Sequence, residues 1–262
     1  MNKTAIEKSI LRQTPALILT ILISCYAMVS QAALTVDHSR LILNEGEKAV
    51  SITVQNQNIH APYLAQAWLE DVSGRKVSQP LVALPPIQRI EAGSKTSVRV
   101  QDINSHSQLP SDRESVFYFN LREVPPKNEK KNSLQLALQT RLKVFYRPQN
   151  LKIGTEARTV PGIEKLSIRK EGRKLRLTNP TPYFITVVSA RKTLSDRNIE
   201  KFEPLLVPPV ETVTVNWNED AFRDTAVLSV LNDYGARMDI SFNCKNQSGC
   251  TVHHITESGS ER

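Results

Sequence analysis

Short runs of alternating apolar and polar residues recur along the chain, and turn-forming residues separate them. A period of two residues is typical of β-strands that bury one face. The first series of runs comprises Leu34–Leu43, Ile52–Val54, Tyr63–Leu69, Leu81–Leu84, Ser97–Val100, Val116–Leu121 and Leu134–Tyr146. The second series comprises Ile163–Ile168, Lys174–Leu177, Phe184–Val188, Leu205–Val207, Thr212–Val215, Ala226–Val230 and Met238–Phe242. Because no long segment has helical periodicity, the pattern predicts an all-β fold of the sandwich type.

The sequence Arg147-Pro148-Gln149-Asn150, followed by Gly154, separates the two series. Proline has no backbone N–H to donate to a strand ladder, so the last strand of the first series should end at Pro148. Each series is long enough to enclose its own hydrophobic core. The sequence therefore predicts two β-sandwich domains, at residues 33–150 and 151–262.

Leu134–Tyr146 (LQLALQTRLKVFY) is about twice the usual strand length. Its leucines share one parity with Val144 and Tyr146, whereas polar residues occupy most of the other parity. We expect the half that contains Val144 and Tyr146 to pack into the first core. For Leu134–Leu138 the alternation leaves two interpretations open, a buried part of that core or an uncovered apolar face.

The first 32 residues have the pattern of a secretory signal peptide. A basic start precedes the short apolar stretch Leu17–Val29, and Ser30-Gln31-Ala32 offers small residues for cleavage before Ala33. A membrane anchor is the first alternative, but the apolar stretch is short for ~30 Å of hydrocarbon. A lipoprotein modified at Cys25 is the second, with a poorer cleavage signal. We therefore expect residues 1–32 to be removed, and no stable membrane insertion afterwards.

The two cysteines outside this segment, Cys244 and Cys250, fit an exported protein. In an oxidising compartment an isolated, closely spaced pair predicts a disulfide. A metal site that includes His253 and His254 is the alternative. The cysteines are farther apart than the about two to four intervening residues typical of zinc ligands, so we expect a disulfide, no metal and no cofactor.

Charge and motifs argue against two functional classes. The formal net charge is +8, but the basic residues are spread along the chain and aromatic residues are only 6%. Nucleic-acid-binding proteins usually concentrate basic and aromatic residues on one face, so we expect no nucleic-acid partner. The sequence also has no HExxH, G-x-S-x-G or P-loop motif, and its five histidines form no triad-like pattern. We therefore expect no enzymatic activity.

Long motifs, rather than isolated residues, connect this chain with a known family. They are Pro62–Trp68, Pro85–Arg89, Asp112–Pro126, Leu136–Pro148, Asn179–Tyr183 and Asn232–Gly235. In this order they resemble the periplasmic pilus (fimbrial) chaperones of the PapD-like family, over about Leu34 to Cys250. The resemblance implies two immunoglobulin-like β-sandwich domains arranged as an L, with a subunit-binding cleft between them.

The resemblance also implies roles for particular residues. In this family the chaperone lends a strand to a pilus subunit that lacks its own last strand, which is donor-strand complementation. Here the donated strand would present Leu134, Leu136 and Leu138. Arg40 and Lys143 match the residues that bind the subunit's C-terminal carboxylate, although simple alternation puts Lys143 on the face opposite the leucines. Three further residues match an interdomain ion network: Glu114, Arg147 and Asp233.

These resemblances predict a periplasmic chaperone that binds, folds and caps pilus subunits and delivers them to an outer-membrane usher. Its expected partners are pilus subunits and the usher, and self-association of the free chaperone is left open. A secreted immunoglobulin-like adhesion or surface-structure protein without chaperone activity is the alternative. Such a protein shares the fold, but it does not predict Arg40 and Lys143 together with a long apolar strand.

Overall fold

The structure, a computed structural model, describes residues 33–103, 109–127, 134–172, 174–217, 222, 224–246 and 249–258. The predicted signal peptide, residues 1–32, lies outside them. The described strands are β1 (Leu34–Val36), β2 (Arg40–Asn44), β3 (Ala49–Asn56), β4 (Tyr63–Glu70), β5 (Lys76–Val77), β6 (Leu81–Leu84), β7 (Ile87–Ile90), β8 (Lys95–Asp102), β9 (Ser115–Val124), β10 (Gln139–Arg147), β11 (Ser167–Glu171), β12 (Lys174–Asn179), β13 (Ile185–Arg191), β14 (Leu205–Val207), β15 (Glu211–Val215), β16 (Thr225–Leu231), β17 (Arg237–Asn246) and β18 (Gly249–Glu257). Short 3-10 turns occur at Gln149–Leu151 and Ile163–Lys165, and the predicted all-β class is confirmed.

Strands β1–β10 form two sheets around the first hydrophobic core. One sheet has the order β1-β3-β8-β6, and the other has the order β2-β10-β9-β4-β5, with β7 also paired to β4. The predicted alternation places every second side chain inside, as with Ile52 and Val54 of β3. Burying one such side chain fully is worth about 1.5–3 kcal/mol, so this alternation stabilises the two-sheet arrangement.

Strands β11–β18 form one continuous sheet, in the order β14-β13-β16-β17-β18-β11-β12-β15. Buried residues from all eight strands join one apolar cluster, so the sheet curls around a second core. Leu151 and Ile153 pack against this second core, and Tyr146 belongs to the first. In the sequence, the residues of the first core therefore precede Pro148 and those of the second core follow it. The predicted domain boundary between residues 150 and 151 stays a prediction.

The predicted strand Leu134–Tyr146 is wrong in its first part, because β10 begins only at Gln139. The backbone N–H of Glu123 still donates to the carbonyl of Leu138, at 3.0 Å. Beyond that point β9 ends at Val124 and is followed by Pro125-Pro126. Prolines have no N–H to donate, so the ladder cannot extend to Leu134 from this side.

Candidate functional site

Arg40 and Lys143 lie side by side at the edge of the first domain. Strands β2 and β10 run parallel, and the register pairs Arg40 directly with Lys143. Paired residues of neighbouring strands point to the same face of a sheet. Leu142 and Val144 point into the core on the other face. The structure therefore places Lys143 on the outer face together with Arg40.

Both cations are partly or largely withdrawn from water. Arg40 is 7% exposed, and its Nη1 donates a hydrogen bond to the carbonyl of Leu231 at 3.3 Å. Its buried Nε has no hydrogen-bond partner among the described residues. Burial lowers the pKa of Arg40, an effect that the charges of Asp233 and Glu114 oppose. A buried donor without a partner is costly, so the arrangement favours an incoming acceptor.

Lys143 has a similar electrostatic environment. Burial lowers the pKa of its ammonium group, and the neighbouring charges of Arg40 and Arg141 lower it further. Like charges held together in a partly desolvated site repel one another unless an anion joins them. A carboxylate placed between Arg40 and Lys143 would receive charge-assisted hydrogen bonds from both.

The edge of β10 is open next to this pair of cations. Strand β2 accompanies β10 only from Lys143 to Arg147, so the described chain leaves the β2 side of residues 138–142 uncovered. The preceding leucines are exposed: Leu134 by 85%, Leu136 by 65% and Leu138 by 47%. An open edge that continues into exposed leucines is a template for pairing with another chain.

Arg147 joins the two domains in a buried ion network. Its Nε donates to Glu114 Oε1 at 2.7 Å, and its Nη1 and Nη2 donate to the two carboxylate oxygens of Asp233 at 2.7 and 3.0 Å. Burial raises the pKa of Glu114, whereas the nearby Arg147 charge opposes that rise. The structure thus brings together Glu114, Arg147 and Asp233, which the sequence related only through the family resemblance.

The turn that carries Asp233 is built for close approach between the domains. The side-chain oxygen of Asn232 accepts hydrogen bonds from the backbone N–H groups of Tyr234 and Ala236. Gly235 has a φ of +81° and packs so closely against Ser39 that a Cβ would overlap the Ser39 hydroxyl. Glycine therefore serves both the left-handed turn and the interdomain contact.

Contacts that the sequence reasoning missed complete this interface. The rings of Phe145 and Phe184 lie 5.7 Å apart, one from each domain. Glu114 makes a backbone and a side-chain hydrogen bond to the second domain. Its N–H donates to the carbonyl of Pro182, and its Oε2 accepts from the N–H of Phe184. The signal in the sequence was Phe145 itself, a large apolar residue on the polar parity of β10.

The two cysteines are joined, and they connect neighbouring strands. The Cys244–Cys250 disulfide links β17 to β18 and adds to the second core. His253 and His254 follow on β18. Over the described parts of the chain, no group of three or more His, Cys, Asp or Glu residues is arranged to hold a metal ion.

Comparison with known proteins assigns the family. A family model described as "Pili and flagellar-assembly chaperone, PapD N-terminal domain" matches residues 33–152. A second, "Pili assembly chaperone PapD, C-terminal domain", matches residues 161–242. The chain belongs to the PapD family of pilus-assembly chaperones. The two matches lie on the two cores described above.

Relatives of this PapD-family chaperone match along most of their length. The probable fimbrial chaperone YfcS of Escherichia coli (strain K12) is 41% identical over 90% of this chain and 92% of that protein. Chaperone protein PapD of Escherichia coli is also 41% identical, over 85% and 91%. The crystal structure of the periplasmic chaperone SfaE is similar over 86% of this chain and 98% of that one, with 29% identity and a TM-score of 0.63.

Membership in the PapD family assigns the chaperone role in pilus assembly. The family consists of non-enzymatic chaperones. No helix in the described ranges is long and apolar enough to cross a membrane.

Proposed function

We propose that this chaperone captures pilus subunits by donating Leu134–Leu138 to the groove that a missing strand leaves open. The observation that carries the proposal is the position of this segment. Its three exposed leucines share one parity and run directly into the open edge of β10. A subunit strand paired with that edge would extend the sheet, which is β-augmentation.

Burial of the leucines would supply much of the affinity. A fully buried leucine is worth about 1.5–3 kcal/mol, so three can contribute several kcal/mol before ordering costs. Main-chain hydrogen bonds add affinity without reading sequence, which allows one chaperone to accept several subunit types. Two copies of the free chaperone could cover the same leucines, so self-association is a competing use of this surface.

Arg40 and Lys143 would set the register of the donated strand. Their paired positions, the burial of Arg40 and the partial burial of Lys143 suit them to bind the subunit's C-terminal carboxylate. With the carboxylate fixed at Lys143, each leucine would reach a defined site in the groove, because strand pairing repeats every two residues. The Glu114–Arg147–Asp233 network would hold the second domain against this site.

Export and delivery complete the proposed cycle. Removal of residues 1–32 before Ala33 would release the chaperone into the periplasm, where Cys244 and Cys250 are oxidised. The loaded chaperone would then deliver its subunit to an outer-membrane usher. The signal-peptide pattern and the name of the relative SfaE, a periplasmic chaperone, support the export step of this route.

Loss of the carboxylate anchor tests the proposal. The probe is a pilus subunit that co-purifies with the tagged chaperone from the periplasm and is identified by mass spectrometry. Arg40→Ala and Lys143→Ala should each weaken its binding by about tenfold or more, since truncating one partner of a buried charge pair costs about 2–5 kcal/mol. Lys152→Ala, at a half-exposed lysine 3.5 Å from Glu47, is the matched control. Unchanged binding in both anchor variants, with normal urea midpoints, would contradict the anchor assignment.

A further inference from the structure

Arg141 lies beside the anchor on the same outer face. It is two residues before Lys143 on β10, which places the two Cα atoms about 6.6–6.8 Å apart along the strand. Its register partner on β9 is Asn120, and that of Lys143 is Tyr118. Arg141 therefore extends the pair formed by Arg40 and Lys143 by one step along the open edge.

The Arg141 guanidinium is held in place while part of it stays accessible. It lies 3.6 Å from the centre of the Tyr118 ring, and its Nη2 is 3.3 Å from Glu70 Oε2. Glu70 is itself fixed, because its Oε1 accepts a hydrogen bond from the Trp68 indole N–H at 2.8 Å. The Arg141 side chain is still 43% exposed. A guanidinium fixed on one side retains donors for a second carboxylate on the other.

The position of Arg141 along β10 determines what could reach it. It lies between Leu138, where the exposed leucines end, and Lys143, where the anchor begins. A subunit that occupies both places must pass Arg141, on the edge that β2 leaves uncovered. Because an extended chain advances about 3.3 Å per residue, the subunit residues beside Arg141 are among the last three before its terminal carboxylate.

The cations of this row have acidic neighbours. Arg40, Lys143 and Arg141 are three neighbouring cations, and the Lys143 ammonium is influenced by both arginines. Glu70 pairs with Arg141, and the charges of Asp233 and Glu114 act on Arg40. An acidic side chain beside the terminal carboxylate would add charge-assisted hydrogen bonds at the exposed part of Arg141.

We propose that Arg141 forms a second carboxylate-binding subsite, which favours subunits with an aspartate or glutamate among their last three residues. This inference rests on the proposed function, since the terminal carboxylate must first be bound at Arg40 and Lys143. It adds a chemical preference to a surface that otherwise binds main chain and apolar side chains. Arg141 is then a specificity-determining residue, and Tyr118 and Glu70 position it.

Synthetic peptides test this subsite directly. The probes are nine-residue peptides of alternating valine and threonine with a free carboxyl terminus, and one Glu stands second or third from the end. A Gln peptide is the reference for each. Dissociation constants are measured by fluorescence anisotropy at low salt, where screening is weakest. At least one Glu peptide should bind the wild-type chaperone about two- to fivefold more tightly than its Gln reference, as expected for a charge pair at a partly exposed site.

Variants of the chaperone assign that preference to Arg141. In Arg141→Gln the Glu/Gln ratio should fall to about one, and in Arg141→Lys it should be intermediate because the bidentate geometry is lost. Arg122→Gln is the matched control. Arg122 lies on the same outer face of the sheet, and its guanidinium is 5.2 Å from the centre of the Trp68 ring. It belongs to β9, however, which is one strand away from the open edge of β10. This variant should leave the ratio unchanged. A ratio near one in the wild type, or a ratio that survives in Arg141→Gln, overturns the subsite.

A C-terminally amidated Gln peptide separates the two levels of the proposal. If the anchor is correct, amidation weakens binding to the wild type, and Arg40→Ala removes the difference between acid and amide. If acid and amide peptides bind equally, the anchor itself is wrong and the subsite is overturned with it. If the anchor test succeeds and the Glu/Gln ratio stays at one, only the Arg141 subsite is overturned.

Discussion

The two halves of Leu134–Tyr146 have the same sequence pattern and opposite environments. Leu142, Val144 and Tyr146 are buried in the first core; all three pair with β9, and Val144 and Tyr146 also pair with β2. Leu134, Leu136 and Leu138 continue the same parity, yet they precede β10 and are exposed. The alternation thus predicts that a segment has one apolar face. Whether that face is buried within the same chain depends on the neighbouring strands.

The neighbouring segments explain the difference. On one side, β9 ends before Pro125-Pro126, and on the other, β2 begins only opposite Lys143. Both boundaries lie at the same end of β10, so the segment loses its partners on both edges there. The half of the segment that has neighbouring strands therefore packs into the core, and the half that has none forms the proposed donated surface.

Substitution of Val144 should have the largest effect, because it tests the covered half. Val144 is 0% exposed, so Val144→Asp would put a carboxylate into an apolar core without a partner. We expect a loss of more than about 4 kcal/mol of folding free energy, which is a large part of the stability of an ordinary domain. Circular dichroism and urea unfolding measure it. A near-normal urea midpoint would contradict the burial of this half.

The ion network at the end of the covered half should give the next largest effect. Arg147→Ala leaves Glu114 buried and removes the partner of Asp233. Removing one partner of a buried ion pair costs about 3–5 kcal/mol. Urea unfolding should show that loss, and adding Glu114→Gln in the same chain should recover part of it. A single-variant loss below about 1 kcal/mol would show that the network contributes little.

The sequence predicted most of the strands because their alternation is local. It did not predict the two-residue strand β5, the four-residue β7 or the nine-residue β18. In β18 the core-packed residues Val252 and Ile255 are three positions apart, so they do not show a period of two. It also treated Leu34–Leu43 as one run, whereas β1 pairs with β3 in one sheet and β2 pairs with β10 in the other. A strand that changes sheets keeps its alternation, so only the pairing reveals the break.

The candidate site was less predictable than the fold. Glu114, Arg147 and Asp233 are far apart in the sequence, and nothing in their local pattern distinguishes them from surface charges. The family resemblance alone brought them together. The same holds for Arg40 and Lys143, whose pairing depends on a parallel register between the beginning and the end of the first domain. Arg141 needed the structure, because its aromatic and acidic neighbours come from two other strands.

Substitution of Leu136 should have the smallest effect on folding and a severe effect on binding. Leu136 is 65% exposed, so Leu136→Glu disturbs no core, and the free energy of unfolding should change by about 0.5 kcal/mol or less. In a complex, however, the new carboxylate would enter a dry groove without a partner, which is strongly unfavourable. Subunit capture should therefore be lost from a stable protein. Leu136→Met, which keeps the volume and the apolar character, is the matched control and should still bind.

The comparison between the two halves depends on measuring both properties in the same protein. The urea midpoint and the amount of subunit retained in a pull-down are determined for the wild type, Leu136→Glu and Leu136→Met. Donation of Leu134–Leu138 requires an unchanged midpoint together with lost binding in Leu136→Glu. If the midpoint instead falls so far that the free energy of unfolding is lower by several kcal/mol, while the remaining folded protein still binds subunits, Leu136 belongs to the core like Val144. Strand donation from this segment would then be wrong, because a side chain cannot fill the domain's own core and a subunit's groove at once.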